Sequence, residues 1–212
     1  KLKKDPKDPT ALHMLYTVYT TFKRDEQKAV DYGERLVALD PNDMDVLRNL
    51  AEQYRMKRQP DKAVALYEKL IQSDPNQKGA HYVNIIKVYQ TSGEHEKALA
   101  WARKLAAEEP DSYRSWSTIA DCYAESGDVA KAIESQQKAI SVAKSGYEKD
   151  QARFAMGQIY ERNKRYREAK QAYFELSKDA STASMKTQAK RQLISLYERT
   201  GELDKVQIEP PK

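Results

Sequence analysis

The sequence predicts an all-α fold, a right-handed helical solenoid of antiparallel helix pairs with about eleven helices. Three observations predict it. Leu47, Leu50, Ala51 and Tyr54 stand at i, i+3, i+4 and i+7, which is one apolar face of a helix. A tyrosine closing one helix is followed nine residues later by an alanine of the next, in Tyr54/Ala63, Tyr89/Ala98, Tyr123/Ala132 and Tyr160/Ala169; Tyr197/Val206 keeps the spacing. The alanines Ala29, Ala63, Ala98, Ala132 and Ala169 return every 34 to 37 residues. Helix pairs at that period bury their apolar faces only by stacking on their neighbours. No stretch alternates with period two, so no sheet is expected.

Residues 1–9 read as a charged lead with two prolines, the tail of a preceding repeat. The first unit, about 10–42, opens with a helix over Thr10 to Phe22 whose register is ambiguous. Counting back from Ala29 buries His13, Tyr16, Thr17 and Thr20. Sliding by one buries Leu12, Leu15, Tyr16 and Tyr19, which is preferred because it avoids burying two threonines and a histidine. That choice requires one extra residue in the following turn. The second unit, about 43–76, breaks at Gln59-Pro60-Asp61, where a proline suits the first turn of a new helix, and closes at Asp74-Pro75.

Units three and four, about 77–110 and 111–145, break at Ser92-Gly93 and Ser126-Gly127. Gly93, Gly127 and Gly201 share a column just past a first helix, where a left-handed cap is needed; Arg24, Arg58 and Lys164 fill that column elsewhere, at some cost. The fifth unit spans about 146–181. A final helix over 182–199 keeps Leu193, Ile194 and Tyr197 in register and covers the open end of an array reaching residue 207. Residues 208–212 carry Glu209-Pro210-Pro211 and read as an extended tail. The last two junctions hold three extra residues each.

These columns resemble the tetratricopeptide repeat family over about residues 10–207. The matching positions are Leu47, Tyr82 and Trp116; Leu50, Ile85, Ile119 and Met156; Ala51, Ala120 and Gly157; the tyrosines and alanines above; Leu36, Leu70, Leu105 and Leu176; and Pro41, Pro75 and Pro110. Gly33, Ala102 and Gln136 depart from it, standing where the family usually has an aromatic, and Arg153 and Lys190 replace a large apolar residue. The resemblance implies a binding scaffold without a reaction of its own. One arrangement of the family is a Lys/Asn/Arg clamp on the C-terminal carboxylate of a chaperone peptide. Arg48, Asn84 and Arg114 fall at its positions, but Glu52 and Thr118 depart, and Glu52 would repel the carboxylate. Asn49 and Asn84, in one column of consecutive units, better resemble asparagine pairs that hold an extended peptide backbone.

Composition narrows the chemistry. The single cysteine, Cys122, excludes an internal disulfide and reads as a small, half-buried thiol. His13, His81 and His95 fall in separate units, so no metal site is expected; the seven glycines form no phosphate-binding run, so no cofactor is expected. Carboxylates at helix ends read as solvated charge, and no clustered nucleophile and base point to catalysis. No apolar run approaches a membrane span. The chain opens on Lys1-Leu2, which matches Lys69-Leu70 at the end of a second helix, and is read as an excised piece or mature product. Its compartment, whether cytoplasmic, periplasmic or secreted, is left open.

The face of each first helix displaced by about 200° from the packed one is the candidate partner site for a protein or extended peptide. It comprises Arg48, Asn49 and Glu52 in unit two, Val83, Asn84 and Lys87 in unit three, Arg114, Thr118 and Asp121 in unit four, and Phe154 and Gln158 in unit five. A competing reading is nucleic-acid or acidic-partner binding at a basic turn, Arg162, Lys164, Arg165, Arg167 and Lys170. It lies within residues 149–191, which hold 11 Lys/Arg against 5 Asp/Glu in a chain of net charge +5. Against it, only Tyr166 interleaves as a stacking aromatic. A third reading is self-association through exposed end repeats.

Overall fold

The structure is a computed structural model that describes residues 5–202, and the described residues contain eleven α-helices and no strand. The expectations for residues 1–4, for Val206 and for the 208–212 tail lie outside them. The helices are α1 Pro9–Thr17, α2 Glu26–Leu39, α3 Met44–Met56, α4 Pro60–Ser73, α5 Lys78–Ser92, α6 His95–Glu108, α7 Tyr113–Ser126, α8 Val129–Val142, α9 Gly146–Arg162, α10 Tyr166–Asp179 and α11 Ala183–Thr200. α1/α2, α3/α4, α7/α8 and α9/α10 pair as antiparallel hairpins, the all-α architecture that the periodicity predicts. The chain divides into two compact units, residues 1–101 and 102–212.

In the first unit, α1 takes the preferred register. Leu12 and Tyr16 are buried with Leu36 and Val46, and Tyr19 stacks on Tyr32 at a ring separation of 5.5 Å. The extra residue that this register demands appears as a π-helical turn over Val18–Phe22. Such a turn inserts one residue while the helix continues. Asp25 caps α2 and Asp43 caps α3, each carboxylate accepting from backbone N–H groups of the first turn. Gly33, in the column usually aromatic, has its space filled from elsewhere: a Cβ there would lie 3.1 Å from both Leu50 Cδ1 and the Tyr16 ring. In α4 the aromatic of that column is Tyr67, buried beside His81 at 6.4 Å between rings. Tyr82 meets Trp101 edge-on at 5.3 Å.

In the second unit, Ala120, Ala132 and Ile159 bring α7, α8 and α9 into close approach. Gln136 replaces the aromatic with hydrogen bonds. It is fully buried, and its Nε2 donates to Ser117 Oγ at 3.1 Å and to the Ala152 carbonyl at 2.7 Å. The extra residues of the last two junctions lengthen the first helices: α9 has 17 residues and α11 has 18, against 14 for α7. Ser145 and Thr182 cap these longer helices. Arg153 finds carboxylate partners instead of an apolar pocket, at 3.4 Å from Asp150 and 3.0 Å from Asp179. Buried Asp150 also accepts from the Ser181 N–H at 2.5 Å, tying α9 to the loop before α11.

The buried stripe of α11 is Met185, Ala189, Leu193 and Leu196, with Tyr197 half-buried. Ile194, expected in register with it, is exposed. Its column is the one in which Ala120 is buried with Ala132 of α8 and Gly157 meets Tyr173 of α10, and no second helix follows α11 among the described residues. The left-handed column is occupied as expected. Gly93, Gly127 and Gly201 have φ of 78°, 86° and 69°, while Arg24, Arg58 and Lys164 hold 49°, 53° and 59°.

Candidate functional site

The first unit presents Arg48, Asn49 and Glu52 from α3 and Val83, Asn84 and Lys87 from α5. The capping carboxylate of Asp43 fixes where α3 begins, and the burial of Val46, Leu47, Leu50 and Tyr54 turns the intervening residues outward. Arg48, Asn49 and Lys87 are exposed, and Glu52, Val83 and Asn84 are half-buried. Arg48 is held by Asp45 at 3.1 Å. The amides of Asn49 and Asn84 make no hydrogen bond to another described residue.

A residue outside the expected set organises this face. Arg55 grips both oxygens of Glu52, one of them at 2.8 Å, and reaches Thr91 Oγ1 on α5 at 3.3 Å. These bonds, and then the charges of Arg55 and Lys87, hold the Glu52 carboxyl below its ordinary range despite its partial burial. Glu52 is therefore a compensated anion, and the repulsion expected of it is reduced. The i+3 spacing of Arg55 from Glu52 was the available signal.

In the second unit the expected residues divide. Arg114 is exposed and lies on the Tyr113 ring, 5.8 Å from its centroid. Thr118 Oγ1 donates to the Arg114 carbonyl at 2.8 Å, so its hydroxyl is turned onto its own helix. Asp121 accepts from Arg162 at 2.8 Å, and Gln158 is exposed beside that pair. Phe154 requires correction. It is buried, 5.4 Å from the Tyr173 ring and clustered with Met185, Ala189 and Leu193. A first helix in a stack is flanked by the next first helix as well as by its own partner. Phe154 packs on Tyr173 of α10 in a cluster that α11 completes, so it is core and not part of an open face.

The five cations of the basic turn do not form one patch. Arg162 pairs with Asp121, Arg165 with Glu168 at 2.6 Å, and Lys170 with Glu202 at 2.5 Å. Lys170 also lies over the Tyr197 ring, 4.6 Å from its centroid. Only Lys164 and Arg167 remain outside these ion pairs. Arg199 similarly pairs with Glu161. Among the described residues no group of three or more His, Cys, Asp or Glu could hold a metal ion, and no helix is long and apolar enough to cross a membrane.

Three family models, each described as tetratricopeptide repeat, match the chain: one at residues 25–78, one at 54–116, and one at 113–145 and 150–175. None of the curated proteins compared matches it. Among solved structures the chain is similar to MamA, at 19% identity over 96% of this chain and 98% of that one, with a TM-score of 0.54. It is also similar to the nearly identical TPR-like repeats of a putative kinesin light chain from Podosopora anserina, at 18% identity, 92% and 97% coverage and a TM-score of 0.55. A tetratricopeptide repeat protein from Parabacteroides merdae is similar at 16% identity, 93% and 73% coverage and a TM-score of 0.55. At these identities the likeness speaks to fold alone. The three models together reach from residue 25 to residue 175, and the chain belongs to the tetratricopeptide repeat family.

Proposed function

We propose that the chain is a non-catalytic scaffold that holds an extended peptide or protein segment on the outward faces of its first helices, centred in the first unit on Asn49, Asn84 and Lys87. The observation carrying this reading is the pair of asparagines in one column of α3 and α5, with amides uncommitted to other described residues. Asparagine offers both a donor and an acceptor, so two in register satisfy the backbone of an extended peptide whatever its side chains. Lys87 favours acidic side chains along the same segment, as Arg114 does on the first-helix face of the second unit. Family membership supports interaction with a protein.

The test begins with a library of displayed random peptides selected on the whole chain. Selected peptides are then titrated against Asn49→Ala/Asn84→Ala and against an outer-face control, Lys69→Ala. The double variant is expected to weaken binding by about 0.5–1.5 kcal/mol for each lost hydrogen bond, with folding stability changed by no more than about 0.5 kcal/mol. Binding lost in the control and kept in the double variant would place recognition elsewhere.

A further inference from the structure

A second surface lies wholly within the residue 102–212 unit. Between the C-terminal half of α6 and α8 runs a groove of about 830 Å³, floored by Trp116, Ile119 and Tyr123 of α7. Around the helix these three stand about 100° or more from Thr118 and Asp121, so the groove opens away from the first-helix face. It exists because α6 is thin here: Ala106 and Ala107 occupy the columns that hold Ile71 and Gln72 in α4 and Ile140 and Ser141 in α8.

The rim is basic and its cations lean on the aromatic floor. Arg103 donates to the Tyr123 hydroxyl at 2.9 Å. Lys131 lies 5.5 Å from the centre of the same ring, and Lys138 lies 6.0 Å from that of Trp116. The one carboxylate in the lining is Glu134. The Trp116 indole N–H is committed to the Pro110 carbonyl at 2.8 Å, which fixes the ring in place. The floor is therefore apolar and preformed, and the charge at its edges is predominantly positive.

The corresponding groove one repeat on gives the contrast. It lies between α8 and α10, measures about 630 Å³ and is floored by Met156 and Tyr160. There Arg153 replaces Trp116, and Glu168 and Glu175 replace Lys131 and Lys138. The same architecture thus carries the opposite charge at two matched positions and lacks the indole. The basic and aromatic character belongs to the α6/α8 groove and not to grooves of this fold in general.

We propose that the α6/α8 groove binds a short acidic peptide segment, seating one bulky aliphatic side chain on Trp116 and Ile119 while flanking carboxylates meet Arg103 and Lys138. A peptide is favoured over a nucleic acid because the grip is a cleft between two helices for one side chain, not a groove that tracks a backbone past successive stacking rings. This reading is independent of the first-helix site, since it uses other residues on the other side of α7.

The test uses the whole chain with Trp101→Phe, which leaves Trp116 as the sole tryptophan reporter. The probe is a blocked pentapeptide of leucine flanked on each side by an aspartate and a glutamate. Saturable change in tryptophan emission is expected. Arg103→Glu and Lys138→Glu, both at exposed positions, should each weaken binding about ten-fold or more, whereas Lys149→Glu in the neighbouring groove and Asn49→Ala/Asn84→Ala should leave it unchanged. Absence of saturation at millimolar peptide overturns the proposal. So does equal binding of a peptide with lysines flanking the leucine, equal loss in Lys149→Glu, or tighter saturable quenching by a thymidine octanucleotide than by the peptide.

Discussion

Gly157 lies directly against the ring of Tyr173: a Cβ placed on the glycine would come 2.6 Å from Tyr173 Cε1. The tyrosine has no room to yield, being fully buried with its hydroxyl donated to Glu161 at 3.0 Å. In this repeat a glycine of a first helix faces a tyrosine of a second, whereas one repeat earlier the matched positions hold Ala120 and the smaller Gln136. Gly157→Ala is therefore expected to destabilise by about 1–2 kcal/mol in denaturant unfolding, because overpacking outweighs the helix propensity gained. A stabilised variant would show that the helices separate freely at this point.

The left-handed column offers a paired test. Lys164 pays for a φ of 59° with a Cβ, and Lys164→Gly should raise stability by about 0.5 kcal/mol, relief of strain exceeding the added freedom of the unfolded chain. Gly127→Ala, at φ 86° with nothing within 4 Å of the added Cβ, should lower it by about 1 kcal/mol for conformational reasons alone. Thermal melts of the two variants are expected to move in opposite directions.

Acid should loosen the first unit through His81. Burial, and then the charge of Arg48, push its pKa below the ordinary 6.5, with Asp74 opposing. The unfolded chain therefore takes up the proton first as the pH falls. This contribution to stability is held above about pH 6.5 and lost progressively below it. Urea midpoints should fall between about pH 7 and 5 in the parent chain, and less steeply in His81→Gln.

Cys122 should be inert in the folded chain. It is buried, and burial, with Glu125 and Asp121 adding to it, pushes the thiol up to about 12, so little thiolate forms at neutral pH. Thiol reagents are expected to label it only after denaturant opens the fold. Rapid labelling under native conditions would mean that α7 separates from its neighbours far below the global unfolding free energy.

The candidate site was less legible in the sequence than the fold. Asn49, Lys87 and Arg114 are exposed as a two-residue displacement from the packed stripe predicts, because α3, α5 and α7 keep the ordinary angular spacing. Phe154 obeys the same spacing and is nevertheless buried, since it packs on Tyr173 of α10 in a cluster shared with α11. The five cations of residues 162–170 look like one patch when read along the chain. Three of them are paired, with Asp121, Glu168 and Glu202, and two of those partners lie more than thirty residues away.

The sequence by itself determined where helices start, stop and recur. Helical spacing, capping carboxylates and left-handed glycines act over a few residues, and the 34-residue period brings matching faces together. It also favoured the register that α1 takes, because burying Leu12 and Leu15 costs less than burying threonines and a histidine. Tertiary structure alone decided how the extra residue was absorbed, as a π turn at Val18–Phe22, and how the longer junctions were absorbed, as added helix in α9 and α11. It also decided that Gln136 serves as a buried hydrogen-bonding strut and that Ile194 remains exposed. These outcomes depend on which neighbour reaches a given flank of a helix. That neighbour is a helix or more away along the chain, beyond the range of any local pattern.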